Sequence, residues 1–346
     1  MTLLFVDGFD HYNTADITKK WSSINGSPDI NTTGGRRGGG ACYFIYAEYI
    51  QRTINDAGGI RYTIGFAFKF TSTYSGLRYL MRMPNDTGGS EIVVMTNNTY
   101  NLNFYCNSFP GLVHSTSDSP ISLSVWHYLE LKFEIGDGSN GHLEAYFDAV
   151  QLFTWSGDNR WTGSSNIKWI RIFGPNNNTY IDDLYLLDEL GSKNTTFLGP
   201  CRVDTIRPSG AGNYAQMTPS AGANYECVDD DQLSESDYVA SDNHGEKDSY
   251  EFDEVPAVIY DDRFYGVQTC IASAKQNPTS VQLADLVRIG GNDYNGDFNA
   301  LTESDLYNLG VKEVDPSDSN DWTKAKVNAS EFGQETLMPA LTTTTT

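Results

Sequence analysis

A chain of 346 residues exceeds what one hydrophobic core usually serves, so two units with separate interiors are expected. Lys and Arg number 23 against 45 Asp and Glu, a formal charge of −22, and a surface of that sign repels phosphate backbones, which excludes nucleic acid as a partner. No apolar run approaches the ~20 residues of a membrane helix, so membrane insertion is not expected either.

With 13% aromatic residues and 32 Gly punctuating short Val-, Ile-, Thr- and Tyr-rich runs, the composition favours strands and turns. In chain order, period-2 alternation predicts strands in YTIGFAFKF (62–70), NLNFYC (101–106), YLELKFEI (128–135), LEAYFDAVQLF (143–153) and IKWIRIF (167–173), with YIDDLYLLD (180–188) closing the series. GGRRGGG, GDGSNG and GPNNNT between the runs supply turn residues. So many strands with so few helical runs predict a sandwich.

The polar stretch GSKNTT ends this series, and a fresh apolar run followed by the breaker PSGAGN begins another, which places a boundary at 196/197. Charge changes at the same place: residues 1–196 carry 14 basic and 19 acidic residues, residues 197–346 carry 9 and 26. In the second part, strands are predicted in CRVDTIRP, KDSYEFDEV, GVQTCIASAKQ, SVQLADLVRIGG and VKEVDP, and a short helical turn in LTESDLYNLGV. The terminal TTTTT is expected to fray unless an assembly holds it. The expected fold is therefore all-β, a jelly-roll sandwich over 1–196 and an acidic β-sandwich with an extended tail over 197–346.

The cysteines Cys42, Cys106, Cys201, Cys227 and Cys270 are odd in number and never in C-x-x-C spacing, which predicts thiols made in a reducing cytoplasm, without a disulfide framework or structural zinc. The opening MTLLFVDGFD is too short and too quickly acidic for a signal peptide, so the N-x-S/T triplets at Asn31 and Asn194 are read as loop composition.

Asp182 and Asp183 stand side by side within a strand. Adjacent strand residues face opposite sides and cannot serve one reacting centre without a bulge, so the expectation is a strand-edge pair accepting backbone N–H groups near VDGFD, not an acid and base pair or a calcium site. EFDEV places Glu251 and Asp253 on one strand face, as in the jelly-roll glucanases, but the third acidic position is Val255. NDYNGDF spaces Asp293, Asn295 and Asp297 like the opening of a calcium loop; the late acidic ligand is Asp305 at best, and a hairpin turn at Asn295-Gly296 is the simpler reading. The histidines His11, His114, His127, His142 and His244 are dispersed, and no nucleophile elbow or phosphate loop is present. Trp155 and Trp161 in FTWSGDNRWTG offer stacking surfaces for a sugar, although a sandwich Trp is more often core. No catalytic, cofactor-binding or metal-binding residue is therefore assigned, and no enzymatic activity is expected.

VWHYLELKFEIGDGSNGHLEAYFDAVQLF followed by IKWIRIFGPNNNTYIDDLYLLD resembles the closing half of a concanavalin-like or laminin-G-like jelly roll. FLGPCRVDTIRPSGAGNYAQMTPSAGANYECVDD, with KDSYEFDEV, GVQTCIASAK and DWTKAKVNASEFGQE, is similar to the C-terminal region of structural proteins of tailed-bacteriophage virions; it departs from them at Met217, where a Trp is more usual, and in the tail after Glu335. The resemblance implies a tail, fibre or capsid-surface component assembled in the host cytoplasm and located in the virion. It implies other virion proteins as partners, a homo-oligomer with a trimer as the expected form, and no enzymatic residues. Host-surface glycans, bound through the first domain, are the alternative partners.

Overall fold

The structure is a computed structural model and describes residues 2–54, 60–84, 90–106, 111–117, 120–160, 167–175, 178–257, 263–276 and 280–338. The chain divides into two compact units, Met1–Asp204 and Thr205–Thr346. Both are built almost wholly of antiparallel strands, the all-β fold that the alternating aromatic and β-branched runs dictate.

The first unit contains β1 (Leu3–Asp7), β2 (Ser23–Asn25), β3 (Asp29–Asn31), β4 (Ala41–Phe44), β5 (Tyr49–Thr53), β6 (Arg61–Phe70), β7 (Arg78–Pro84) and β8 (Ser90–Thr96). It continues with β9 (Leu102–Cys106), β10 (Leu112–Ser115), β11 (His127–Glu134), β12 (Gly141–Phe147), β13 (Val150–Gly157), β14 (Trp169–Phe173) and β15 (Thr179–Leu187). An eight-stranded sheet runs β13-β12-β11-β6-β15-β4-β3 with β1 beside β15, and a seven-stranded sheet runs β10-β9-β8-β7-β14-β5-β2. Sequence-distant strands are neighbours in both sheets, the crossed connectivity of a jelly roll. Alternation sends Ile64, Phe66 and Phe68 of β6 and Leu129 and Leu131 of β11 into the interior, where Ile50, Met81, Ile92, Phe104 and Ile172 of the other sheet are equally buried. Each such side chain contributes about 1.5–3 kcal/mol on leaving water.

The outward side of the eight-stranded sheet is also covered at its centre. Gly65 lies beneath the rings of Tyr185 and Tyr128, and a Cβ there would come within 2.2 Å of Tyr185, so no larger residue fits. Tyr185 OH donates to Glu130 at 2.5 Å, and the backbone N–H groups of Leu198 and Gly199 donate to Tyr185 OH and Glu130. Phe197 adds a ring contact with Tyr146 at 4.5 Å. Residues 197–203 are thus a strap on the first unit. This explains why the division falls at 204/205 and not at 196/197, and why residues 201–207 of CRVDTIRP are not a strand: the Cys201 carbonyl accepts from Arg36 and the Val203 N–H donates to Asp183.

The second unit contains β16 (Pro208–Ala215), β17 (Thr218–Pro219), β18 (Val239–Ala240), β19 (Lys247–Phe252), β20 (Val267–Ser273), β21 (Gln282–Ile289), β22 (Asn292–Asn295), β23 (Asn299–Ala300), β24 (Leu306–Lys312) and β25 (Glu331–Leu337). A six-stranded sheet runs β16-β19-β25-β21-β22 with β23 beside β21; β17–β18 and β20–β24 form two-stranded ribbons. Val255, Val287, Trp322, Val327 and Phe332 form its core, with Val267 of the ribbon packed against them.

Several local expectations change. LEAYFDAVQLF is a hairpin, because Asp148 and Ala149 both take positive φ (49° and 66°) and turn β12 into β13. PSGAGN is not a breaker but the edge strand β16, where a proline without N–H and irregular glycine registers are tolerated. The helical turn expected in LTESDLYNLGV is β24, paired with β20 along its whole length. The tight turn near NDYNGDF is Gly290-Gly291, both at positive φ, while Asn295 ends β22. The terminal TTTTT lies outside the described residues.

Candidate functional site

Asp182 and Asp183 lie on β15 where the strand is irregular: its pairing with β6 shifts register between Asp182 and Tyr185, and Asp183 takes φ 50°. Such a bulge re-aims side chains, and both carboxylates meet Arg36 of the glycine-rich loop. Asp182 Oδ2 accepts the Arg36 backbone N–H and Oδ1 that of Asp183, both at 2.7 Å. Asp183 Oδ1 accepts the Val203 N–H at 2.8 Å and Oδ2 accepts Arg36 Nη1 at 3.1 Å. Arg36 Nη1 also donates to the Cys201 carbonyl, and its guanidinium lies 5.2 Å from the Tyr128 ring. The backbone donors therefore come from Arg36, Asp183 and Val203, not from VDGFD. Burial raises both carboxyls above their ordinary range; mutual repulsion adds to the rise at Asp182, and the Val203 N–H and Arg36 oppose it at Asp183. All four oxygens have donors, and the arrangement ties a loop and the strap to the sheet.

VDGFD builds a second knot beside it. Asp7 is fully buried, with Oδ1 accepting Phe9 N–H and Lys20 Nζ, each at 3.0 Å, and Oδ2 accepting Tyr12 OH and Trp21 Nε1, each at 2.8 Å. Lys20 comes from the short helix α1 (Ile17–Lys20) and its side chain is 1% exposed. Asp10 Oδ1 accepts the Gly40 N–H at 2.5 Å, and burial pushes its carboxyl up to about 7.

The outward face of the seven-stranded sheet is different in kind. In β14, Ile170 and Ile172 point inward, so Trp169, Arg171 and Phe173 point out; in β5, Tyr49, Gln51 and Thr53 stand opposite them. On the other side of β14, Arg171 is directly opposite Arg82 of β7. Directly opposed side chains of antiparallel strands are near neighbours, and like charges there repel. Arg171 Nε donates to Gln51 Oε1 at 2.5 Å, and its guanidinium lies 5.2 Å from Tyr49 and 5.8 Å from Trp169. Arg82 lies 5.0 Å from the Tyr79 ring, and burial, with a push from Arg171, holds it below its ordinary value. Phe173 joins the two flanks, 5.1 Å from Tyr49 and 5.5 Å from Tyr79, and Lys168 stands over Trp169 at 4.9 Å. Arg82, Arg171, Tyr49, Tyr79 and Trp169 are all partly exposed. Aromatic rings flank both guanidinium groups, and such rings suit the face of a sugar.

The other sequence candidates do not gather into a site. Glu251 is exposed on β19 and Asp253 lies beyond its end, while Phe252 between them points into the core. Asp293 binds Lys247, Arg288 and Tyr214 OH, Asn295 donates to Glu335 at 2.6 Å, and Asp297 is exposed. His127 is structural, with Nδ1 at 2.7 Å from Asp148 and Nε2 accepting Ser122 N–H; His114 stacks on Phe153. His11 contacts Lys20, His142 contacts Ser156, and His244 reaches the Met338 carbonyl. Trp155 is partly buried against Gly157 on β13, and Trp161 lies outside the described residues. No disulfide joins the five cysteines, and among the described residues no group of three or more His, Cys, Asp or Glu is placed to hold a metal ion. No helix among them is long and apolar enough to cross a membrane. The outward row of Trp169, Arg171 and Phe173 was present in IKWIRIF as a period-2 pattern, but its partner Arg82 comes from a strand nearly ninety residues away.

No family model and no curated protein matches the sequence. Solved structures that are similar include the endo-β-1,4-glucuronan lyase of the fungus Trichoderma reesei, 12% identical over 53% of this chain and 95% of that one, with a TM-score of 0.42. The alginate lyase vAL-1 from Chlorella virus is 9% identical over 51% of this chain and 96% of that one, TM-score 0.39, and Trypanosoma rangeli sialidase is 14% identical over 46% and 27%, TM-score 0.35. These matches overturn the expectation of a protein without enzymatic activity: proteins named as lyases and sialidases are among them, and the lack of a familiar catalytic signature does not set this chain apart from enzymes. At such identities no residue role passes from those proteins to this one.

Proposed function

We propose that the chain is a structural component of a tailed-bacteriophage particle, assembled as a homo-oligomer with a trimer as the expected form, and that its first unit engages saccharides on the host surface. The particle assignment is supported by the resemblance of the joint and of residues 322–335. Those residues are an integral part of the second unit: Trp322 is buried, its Nε1 donates to the Lys312 carbonyl at 2.9 Å, and its ring contacts Phe332. The saccharide assignment is carried by one observation, the partly exposed aromatic face of Tyr49, Tyr79 and Trp169 on the outer side of the seven-stranded sheet, with the Gln51 amide buried beside it. Flat aromatic surfaces that keep a polar rim suit a ligand with one apolar and one hydroxylated side.

Two measurements test the halves separately. Mass spectrometry of purified mature particles is expected to find this chain, and its absence removes the particle assignment. A glycan array probed with the full chain is expected to give signals that Trp169→Ala lowers; silence across the array removes the saccharide assignment.

A further inference from the structure

We infer that a second face of the first unit, the strip of Trp126, Lys69, Tyr180 and Tyr43 on the outer side of the eight-stranded sheet, takes an oligosaccharide whose rings stack on the aromatics and whose oxygens accept from Lys69. The inference rests on the saccharide reading above for its ligand class and on different residues for its place.

Lys69 is the last outward position of β6. Tyr180 of β15 stands directly opposite it, Tyr43 of β4 stands opposite Tyr180, and Trp126 immediately precedes the β11 residue that pairs with Phe68. The four side chains therefore form one row across the neighbouring strands β11, β6, β15 and β4. Lys69 Nζ lies 4.7 Å from the Trp126 ring and 4.5 Å from the Tyr180 ring, and the rings of Tyr43 and Tyr180 are 5.0 Å apart. Such a row repeats at about the 4.8 Å spacing of adjacent strands, a pitch on the scale of a sugar ring. All four residues are partly exposed.

Packing does not require three large rings on an outward face, where they leave apolar surface in water. Their polar tips are also open. Among the described residues no acceptor takes the Lys69 ammonium, Trp126 Nε1 or the Tyr180 hydroxyl, whereas the Tyr43 hydroxyl donates to Asn178 Oδ1. Burial holds Lys69 below its ordinary value, against a pull from Asp182, so its ammonium is already partly stripped of water and its three donors gain from a ligand oxygen.

The strip is one ring wide. Toward the sheet centre, Arg36 and the strap close the face over Asp182 and Tyr185. On its other side lie Asn178 and the exposed Thr71 and Ser124, joined through Thr71 N–H to the Asn178 carbonyl and Ser124 N–H to that of Phe70. A stable protein partner covers about 800 Å² on each side, far more than one row. Flat rings edged by hydroxyls and an amide match a ligand with apolar ring faces and hydroxylated edges.

A dilution series of the full chain on a glycan array of neutral and acidic oligosaccharides tests the inference. Trp126→Ala and Lys69→Met are each expected to lower apparent affinity about tenfold or more for at least one class of oligosaccharide, with the melting temperature unchanged, and Lys69→Arg to keep part of it. Should Trp126→Ala melt early, Lys69→Met, which retains the aliphatic stem, carries the test. Signals undiminished in both variants overturn the inference, and where Trp169→Ala lowers them the saccharide reading stands. Signals that fall in Trp126→Ala but hold in Trp169→Ala support the inference and move the saccharide site off the seven-stranded sheet. Loss of the oligomer in sedimentation of both variants, with every array signal unchanged, makes the strip a subunit contact and overturns the inference. A silent array removes both readings.

Discussion

The first unit holds two kinds of charge cluster, and they differ in how their charges are answered. In the knots around Asp7 and around Asp182 and Asp183, each carboxylate oxygen accepts from a named donor, and the donors come from a helix, a glycine-rich loop and the strap. On the outer face of the seven-stranded sheet, two cations of adjacent strands stand opposite each other, with aromatic rings and the Gln51 amide among their neighbours. Burial punishes an unanswered charge, so a completed network of donors is architecture, whereas aromatic rings left partly exposed offer a surface to a ligand.

This contrast can be broken most decisively at Lys20. Lys20→Met leaves Asp7 ionised and buried, and urea unfolding is expected to report a loss of about 3–5 kcal/mol; a loss below 1 kcal/mol would show that the Asp7 knot is not a completed ion pair. Next comes Asp182→Asn, which replaces one acceptor by an amide that points a donor at a backbone N–H, at a cost of about 1–3 kcal/mol by the same measurement.

The pH dependence follows the raised carboxyls. Asp10 keeps its proton up to about 7 in the folded state but only to its ordinary 3.8 when unfolded, so the native state binds more protons between those values. The stability of the first unit is therefore highest at the acid end of this window and falls as pH rises through it, with a slope of at most about 1.4 kcal/mol per pH unit from this group. Asp10→Asn is expected to make the fall shallower in thermal melts between pH 4 and pH 7. An unchanged slope would assign the effect to Asp182 and Asp183, whose carboxyls are raised in the same direction. The smallest stability effect is at the arginine face: Arg171→Gln removes the like-charge contact with Arg82 but also the donor to Gln51, so the stability measured by urea unfolding is expected to change by less than about 1 kcal/mol. A loss of more than about 2 kcal/mol would make Arg171 an architectural residue.

How much could be read in advance depended on the range of the signal. YTIGFAFKF and YLELKFEI announced β6 and β11 because alternation is a local property. The hairpin inside LEAYFDAVQLF was hidden because an Asp-Ala turn lacks the glycine that usually marks positive φ. The bulge at Asp183 had no local signal either. Its conformation is held by Val203 and Arg36, neither of which lies near it in the sequence. The outer face of the seven-stranded sheet is hidden for a related reason: short motifs are local, and a face assembled from separate strands has none.

The amino-acid order by itself determined that the chain is β-rich, strongly acidic and long enough for two interiors, because composition and period-2 patterning act between near neighbours. Only the tertiary structure decided that Arg82 and Arg171, nearly ninety residues apart, stand opposite each other, that adjacent aspartates share an arginine, and that the apparent linker is a strap on the first unit. Those pairings depend on which strands become neighbours in a sheet, and strand order is set by the packing of the whole unit.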